Sequence, residues 1–187
     1  MHPMLIAHGT SLGTGGRVFV PLCGKSKDMP WLRAQGHAVL GIELADIAVR
    51  AFFAEHGMTP THTKVAPFER FSAAGYDLLC GDYFALTREI SGPFTAIYDR
   101  AALIALPPEM RRAYAAHMTA LAETDTRMLL ITVEYDTSVI SPPPFAVSAD
   151  EVQALYGATW AIEDRGKRAA DVKGQPGSEQ PFVLRRL

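Results

Sequence analysis

Uninterrupted hydrophobic runs alternate with amphipathic segments along most of this 187-residue chain. The runs predict buried strands at residues 18–22, 38–42, 76–80, 94–98 and 128–133, and a less regular pattern predicts another at 63–68. Apolar residues recur at helical spacing in other segments, most clearly at 45–56 and 107–123. Strands that alternate with helices are typical of an α/β fold, in which helices cover both faces of a mostly parallel sheet.

Two polar side chains predict helix starts. Asp28 is placed to cap a short helix, and Ser148 is placed to cap a helix over 149–156. The glycine-rich first sixteen residues predict a flexible start. No repeat or linker divides the chain, so we expect a single domain over residues 1–187.

The end of the chain follows a different pattern. Strands are predicted at 160–163 and 182–185, but no helical segment separates them. The residues between them, 165–181, are polar and rich in glycine and proline, and we expect a mobile loop there. Two strands joined by a loop predict an antiparallel hairpin at the sheet edge.

Composition narrows the class of protein. Hydrophobic residues make up 48% and charged residues 20%, as in ordinary globular proteins. A net charge of −2 gives no electrostatic reason to expect nucleic acid or an anionic membrane as a partner. Cys23 and Cys80 form no C-x-x-C pair, and the N-terminus does not have the pattern of a signal peptide, so we expect a reduced, cytoplasmic monomer. The six histidines have no metal-ligand spacing, and we expect no metal site.

Small and polar residues follow the first two predicted strands. The first strand ends at Leu22-Cys-Gly24, and about twenty residues later the second ends at Glu43-Leu44. This spacing is typical of α/β nucleotide-binding domains, in which ligands bind beyond the carboxyl ends of the strands. Gly24 has no Cβ and lets the backbone approach a ligand, while Glu43 offers two acceptor oxygens to a vicinal diol.

The next two predicted strands also end in residues whose side chains can bind a ligand. Asp82 can accept a hydrogen bond from an exocyclic amine, and Tyr83 and Phe84 can pack against a flat heterocycle. Asp99-Arg100 then adds one acceptor and one permanent cation. The four strand ends together predict one ligand crevice.

Each of these residues also has a purely structural interpretation. Glu43 can cap the following helix, Asp82 can start a turn, and Phe84 can belong to the core. Arg100 can pair with Asp99, and Cys23 is more typical of a packed residue than of a nucleophile. Lys25-Ser26 lacks the remainder of a phosphate-binding loop.

Several segments resemble those of a known family: Val20-Pro-Leu-Cys-Gly-Lys-Ser26, Gly41-Ile-Glu-Leu44, Phe52-Phe53-Ala-Glu55, Gly81-Asp-Tyr-Phe84, Tyr98-Asp-Arg-Ala-Ala-Leu103 and Ala105-Leu-Pro-Pro108. From about residue 3 to its end the chain is similar to thiopurine S-methyltransferase, particularly the bacterial branch. The resemblance implies a three-layer α/β/α Rossmann-like class I methyltransferase fold. Its mostly parallel sheet would have seven strands and an antiparallel C-terminal edge hairpin.

The resemblance also implies S-adenosylmethionine as methyl donor and a role for each candidate residue. Leu22 and Gly24 would lie against the methionine part of the donor, and Glu43 would bind the ribose hydroxyls. The adenine would lie beside the residues that follow the second and third strands, Leu44, Asp82 and Tyr83. Arg100 would face both the donor and the acceptor. The implied acceptor is an aromatic or heterocyclic thiol, or a selenium or tellurium species.

The chain departs from the family at two places. The family has a longer N-terminal segment with spaced tryptophans that covers the site, whereas this sequence starts at Met1-His-Pro. We therefore expect weakened donor binding and low activity for this chain alone. The family also has a second active-site arginine before the last strand, for which Arg168 is the nearest candidate.

Two other functions stay open at this point. A donor-binding protein without turnover would keep the same strand ends. An NAD(P)-linked oxidoreductase would share the glycine turn and the acid, but it would also need the G-x-G-x-x-G motif that this chain lacks.

Overall fold

A computed structural model describes residues 1–187, which divide into two compact units, Met1–Tyr98 and Asp99–Leu187. The first unit contains four helices: α1 (Pro3–His8), α2 (Met29–Ala34), α3 (Asp46–Glu55) and α4 (Arg88–Ser91). Its strands are β1 (Arg17–Val20), β2 (Ala38–Glu43), β3 (Thr61–Val65), β4 (Phe68–Ala73) and β5 (Tyr76–Cys80). The next strand, β6 (Ala96–Arg100), begins in this unit.

Parallel strands form the main part of the first unit's sheet, whose order is β3-β4-β5-β2-β1-β6. The pairs β1–β2, β1–β6 and β2–β5 are parallel, and in register Val20 lies opposite Gly41 and Glu43 lies opposite Cys80. The strands β3 and β4 add an antiparallel hairpin next to β5. Because parallel strands run in one direction, the carboxyl ends of β1, β2 and β5 meet at one edge.

Apolar side chains account for this arrangement. Val18, Phe19, Leu40 and Leu78 are fully buried, as expected for strands covered on both faces. The helix α3 adds Val49, Phe52 and Phe53 to the core, whereas Ile47 is exposed.

The second unit is built around one long antiparallel strand. Its helices are α5 (Pro108–Leu121) and α6 (Ala149–Tyr156), and its strands are β7 (Arg127–Tyr135), β8 (Trp160–Asp164), β9 (Arg168–Val172) and β10 (Gln175–Arg186). The twelve-residue β10 pairs in antiparallel orientation with β7, β8 and β9. Arg111 on α5 donates twice to the Glu151 carboxylate of α6, at 2.7 and 2.8 Å, and links the two helices.

The predicted α/β class, with parallel strands and an antiparallel C-terminal edge, is confirmed, but there are ten strands instead of seven. The single strand predicted for residues 63–68 is instead a hairpin, in which Val65 ends β3 and Phe68 begins β4. The mobile loop predicted for 165–181 is wrong, because this segment forms β9 and the first half of β10. Lys173 and Gly174 connect these strands with φ angles of +55° and +79°, the conformation of tight hairpin turns.

The N-terminal residues also differ from the prediction. A helix, α1, and a 3-10 turn, Gly9–Leu12, replace much of the expected irregular start, because Met4, Leu5 and Leu12 are buried. Asp28 does not cap α2: its carboxylate accepts from the His2 N–H at 2.7 Å and the Tyr98 hydroxyl at 2.9 Å. By contrast, the predicted Ser148 cap is confirmed.

None of the helices is both long and apolar enough to cross a membrane.

We predict that Gly41→Ala lowers the free energy of unfolding by about 2 to 3 kcal/mol, because overpacking a buried strand forces its neighbours to move. A Cβ at Gly41 would lie 2.6 Å from Leu78 Cδ2 and 2.7 Å from Cys23 Sγ. Gly57→Ala is the matched control, since its Cβ meets nothing within 4 Å, and we expect a loss of about 1 kcal/mol from its positive φ alone. Urea unfolding measures both, and equal losses would contradict the packing argument.

Candidate functional site

The turn after β1 is held against the end of β2. The Cys23 N–H donates to the Ile42 carbonyl at 2.9 Å, and the Ser26 N–H donates to the Cys23 carbonyl at 3.0 Å. Leu22 and Gly24 both have left-handed backbones, with φ of +46° and +49°. A non-glycine residue in this conformation costs about 1 to 3 kcal/mol and is common at ligand sites, where surrounding contacts hold it.

Glu43 is the residue that fixes this turn. Its Oε2 accepts from the Gly24 N–H at 2.8 Å, and its Oε1 accepts from the Ala45 N–H at 2.9 Å. Ala45 is the N-cap residue of α3, so the carboxylate does support the helix start, as the structural interpretation expected. A carboxylate has about four lone-pair sites, and these two bonds leave about two for a ligand.

The third strand end is bonded to the second. The Gly81 N–H donates to the Glu43 carbonyl at 3.0 Å, which brings Asp82 and Tyr83 to the same edge. Asp82 Oδ1 accepts from the Phe84 N–H at 2.9 Å and caps the 3-10 turn Tyr83–Ala85, so its turn-forming role is observed.

The aromatic residues at this end differ in burial. Tyr83 is buried and stacks on Phe19, with ring centroids 6.5 Å apart and planes within 8°. Phe84, for which the sequence favoured a core position, is instead exposed, and Leu44 is 74% exposed. Two apolar side chains, one after β2 and one after β5, therefore face solvent.

The two thiols are unsuited to nucleophilic chemistry. Burial, with a smaller contribution from Glu43, raises the pKa of the Cys23 thiol far above its ordinary value. Burial also raises the pKa of Cys80. Both thiols are therefore neutral at neutral pH, and Cys23 is a packed core residue.

The second unit holds the two remaining candidates and one buried acid. Asp99 is fully buried, and it accepts from the Tyr114 hydroxyl at 2.8 Å and the Leu103 N–H at 3.2 Å. Burial raises the pKa of Asp99 to about 6, although these hydrogen bonds lower it. The alternative in which Arg100 pairs with Asp99 is wrong: the Arg100 side chain is exposed, and the Asp99 carboxylate bonds Leu103 and Tyr114 instead. Arg168 is also exposed and begins β9, opposite Glu179.

Local sequence patterns identified Gly24, Glu43 and Asp82, and the structure joins their strand ends by hydrogen bonds. The same sequence patterns did not identify Tyr114 as the partner of Asp99, because the two residues lie fifteen positions apart on different elements. The pattern that could have indicated it is a tyrosine on the buried face of α5.

Comparison with known proteins now decides the family. The profile of the thiopurine S-methyltransferase (TPMT) family matches residues 1–183. The chain belongs to this family. Thiopurine S-methyltransferase from Nitrosospira multiformis is 52% identical over 143 residues, which are 76% of this chain and 65% of that protein. The match therefore spans slightly less than two thirds of the Nitrosospira protein.

Other members of the thiopurine S-methyltransferase family match a larger share of the chain. The protein from Pseudomonas aeruginosa strain UCBPP-PA14 is 46% identical over 88% of this chain and 76% of its own length. The protein from Marinobacter nauticus is 43% identical over 98% of this chain and 79% of its own length. S-adenosylmethionine is the methyl donor of this family.

Solved structures of other methyltransferases share the fold. A SAM-dependent methyltransferase from Methanosarcina mazei has a TM-score of 0.75 at 12% identity and covers 100% of this chain and 98% of its own. The Burkholderia thailandensis 1,6-didemethyltoxoflavin-N1-methyltransferase, solved with S-adenosylhomocysteine, has a TM-score of 0.67 at 16% identity and covers 97% and 75%. At these identities the likeness shows the fold alone.

We predict that Glu43→Gln destabilises the first unit of this family member. A glutamine must turn its NH2 group towards either the Gly24 or the Ala45 N–H, which costs about 1 to 2 kcal/mol. Glu163→Gln is the matched control, because Glu163 is exposed and pairs only with Arg165, at 2.9 Å. Denaturant unfolding should show the loss for Glu43→Gln and almost none for the control; two similar values would contradict the bridging role of Glu43.

Proposed function

We propose that this chain transfers a methyl group from S-adenosylmethionine to a small-molecule thiol, such as a thiopurine-like heterocycle, or to a selenium or tellurium species. The observation that carries the proposal is the bond between the Gly24 N–H and Glu43 at the ends of β1 and β2. It joins a glycine turn to an acid that still has acceptor sites, in a chain of the thiopurine S-methyltransferase family.

The residues present fit the proposed donor. Gly24 leaves open space, since even an added Cβ would have only Glu43 Oε2 nearby, at 3.9 Å. The remaining lone pairs of Glu43 suit a ribose diol. Leu22 would border the methionine part, and the exposed Leu44 together with Asp82 and Tyr83 would border the adenine. When bound, S-adenosylmethionine supplies a methyl group that its positive sulfonium has already activated.

Arg100 is the proposed catalytic residue. A guanidinium next to a thiol favours the thiolate and lowers the pKa of the acceptor. Arg100 is suited to this role because it is exposed and the neighbouring Asp99 carboxylate bonds Tyr114 and Leu103 instead. A strong general base is unnecessary when the acceptor is bound as a thiolate, so the main task of the site is to align the reacting groups. Arg168 is proposed as a second contact to the acceptor.

Two other functions make different predictions. A donor-binding protein without turnover would bind S-adenosylhomocysteine but transfer no methyl group. An oxidoreductase would bind a nicotinamide dinucleotide, whose pyrophosphate needs the G-x-G-x-x-G turn; residues 21–26 do not provide it. The net charge of −2 favours a small-molecule acceptor over nucleic acid.

We predict that Arg100→Ala lowers kcat/KM for an aromatic thiol by about 100-fold, the effect of removing one electrostatic contact from a transition state. The affinity for S-adenosylhomocysteine should fall by much less, and Arg100→Lys should restore part of the activity. Arg165→Ala is the matched control, because Arg165 is an exposed arginine paired with Glu163.

Steady-state methyl transfer and calorimetry measure these quantities. Unchanged transfer in Arg100→Ala would contradict the role of Arg100. Binding without transfer in the wild-type chain would favour the donor-binding protein.

A further inference from the structure

Two adjacent residues at the end of β6 have opposite environments. Asp99 is fully buried, whereas Arg100 is exposed. Successive side chains of a strand point to opposite faces, so a residue that fixes the backbone at position 99 also limits the direction of the side chain at position 100.

The Asp99 carboxylate closes the turn that follows. Its Oδ1 accepts from the Leu103 N–H at 3.2 Å, and this bond spans residues 100–102. Within the span, Ala101 has φ of +71°, a left-handed conformation that costs an alanine about 1 to 2 kcal/mol. Leu103 then begins the 3-10 turn Leu103–Ala105 and is fully buried. A turn with this backbone needs bonds that hold it, and Asp99 provides one.

A second bond ties the same carboxylate to a helix. Its Oδ2 accepts from the Tyr114 hydroxyl of α5 at 2.8 Å, and Tyr114 is fully buried. The carboxylate therefore connects β6, the turn and α5. It has no exposed surface through which to contact a substrate, so any effect on the reaction must act through another residue.

We propose that Asp99 is a positioning residue, which directs the Arg100 side chain by bonding the Leu103 N–H and the Tyr114 hydroxyl. This inference rests on the function proposed for Arg100.

The protonation of Asp99 makes the proposal testable by pH. Burial raises the pKa of Asp99 to about 6, and the titratable groups around it are Tyr114 on α5, Tyr156 on α6 and the adjacent Arg100. Tyr156 is buried, and its hydroxyl has no hydrogen-bond partner. Above pH 6 the carboxylate accepts both bonds, and below pH 6 its proton takes the place of one of them. The hydrogen bonds that hold the turn therefore change as the pH falls through 6, although the closed turn becomes more stable, because the pKa of Asp99 is higher there than in an exposed carboxyl.

The experiment follows kcat/KM between pH 5 and 8 with 2-nitro-5-thiobenzoate, an aromatic thiol that stays ionised over this range. Amide hydrogen exchange at Leu103 provides a readout that is independent of turnover. The variants are Asp99→Asn, Tyr114→Phe and Arg100→Ala, with Asp99→Asn also combined with Arg100→Ala. Tyr156→Phe is the matched control, since it removes a buried hydroxyl that does not bond Asp99.

As the pH falls through 6, we expect wild-type kcat/KM to decrease, which gives an acid limb in the pH profile, and Leu103 protection to rise. Tyr114→Phe should move this limb to higher pH, because a hydrogen bond that favours the carboxylate is lost, and Tyr156→Phe should leave it in place. Asp99→Asn should remove the limb and lower kcat/KM about tenfold at pH 8. In the Arg100→Ala background the same substitution should change kcat/KM less than twofold.

The proposal is overturned if Asp99→Asn keeps the limb, or if it lowers kcat/KM equally with and without Arg100. If Asp99→Asn does not fold, Tyr114→Phe decides: a shifted limb supports the proposal, and an unmoved limb overturns it. Failure of the proposed function gives a different result, in which Arg100→Ala is fully active while Leu103 protection still rises as the pH falls through 6.

Discussion

The Glu43 carboxylate is the contact on which the candidate donor site depends. It accepts the N–H of Gly24 after β1 and that of Ala45 before α3, and the carbonyl of the same residue accepts from Gly81 after β5. One residue thus sets the positions of three strand ends. The left-handed turn at Leu22 persists because these bonds hold the chain on either side of it.

The carboxylates of Glu43, at the end of β2, and Asp99, near the end of β6, have different roles because their burial differs. Glu43 is half-buried, so the acceptor sites that the backbone does not use can reach a ligand. Asp99 is enclosed, and its hydrogen bonds serve the turn that carries Arg100. Half-burial therefore suits a ligand-binding carboxylate, whereas complete burial raises the pKa of Asp99 and confines it to an internal role.

The sequence predicted the parallel strands and the residues at their ends because strands buried on both faces appear as continuous apolar runs. It did not predict β9, in which only Val172 is buried and polar residues resemble a loop. Partners distant in sequence were also missed. Asp28 bonds His2 and Tyr98 instead of capping α2, since burial favours those partners, and no local pattern reports such contacts.

The most direct test of the central claim is a calorimetric comparison of two ligands on the wild-type chain. S-adenosylhomocysteine carries the ribose diol for which Glu43 is proposed as the acceptor, and its 2′,3′-dideoxy analogue does not. A hydrogen bond to a charged group contributes about 1.5 to 3 kcal/mol, so the account predicts at least about tenfold weaker binding of the analogue. Equal affinities would contradict the claim that Glu43 and the glycine turn form the donor site.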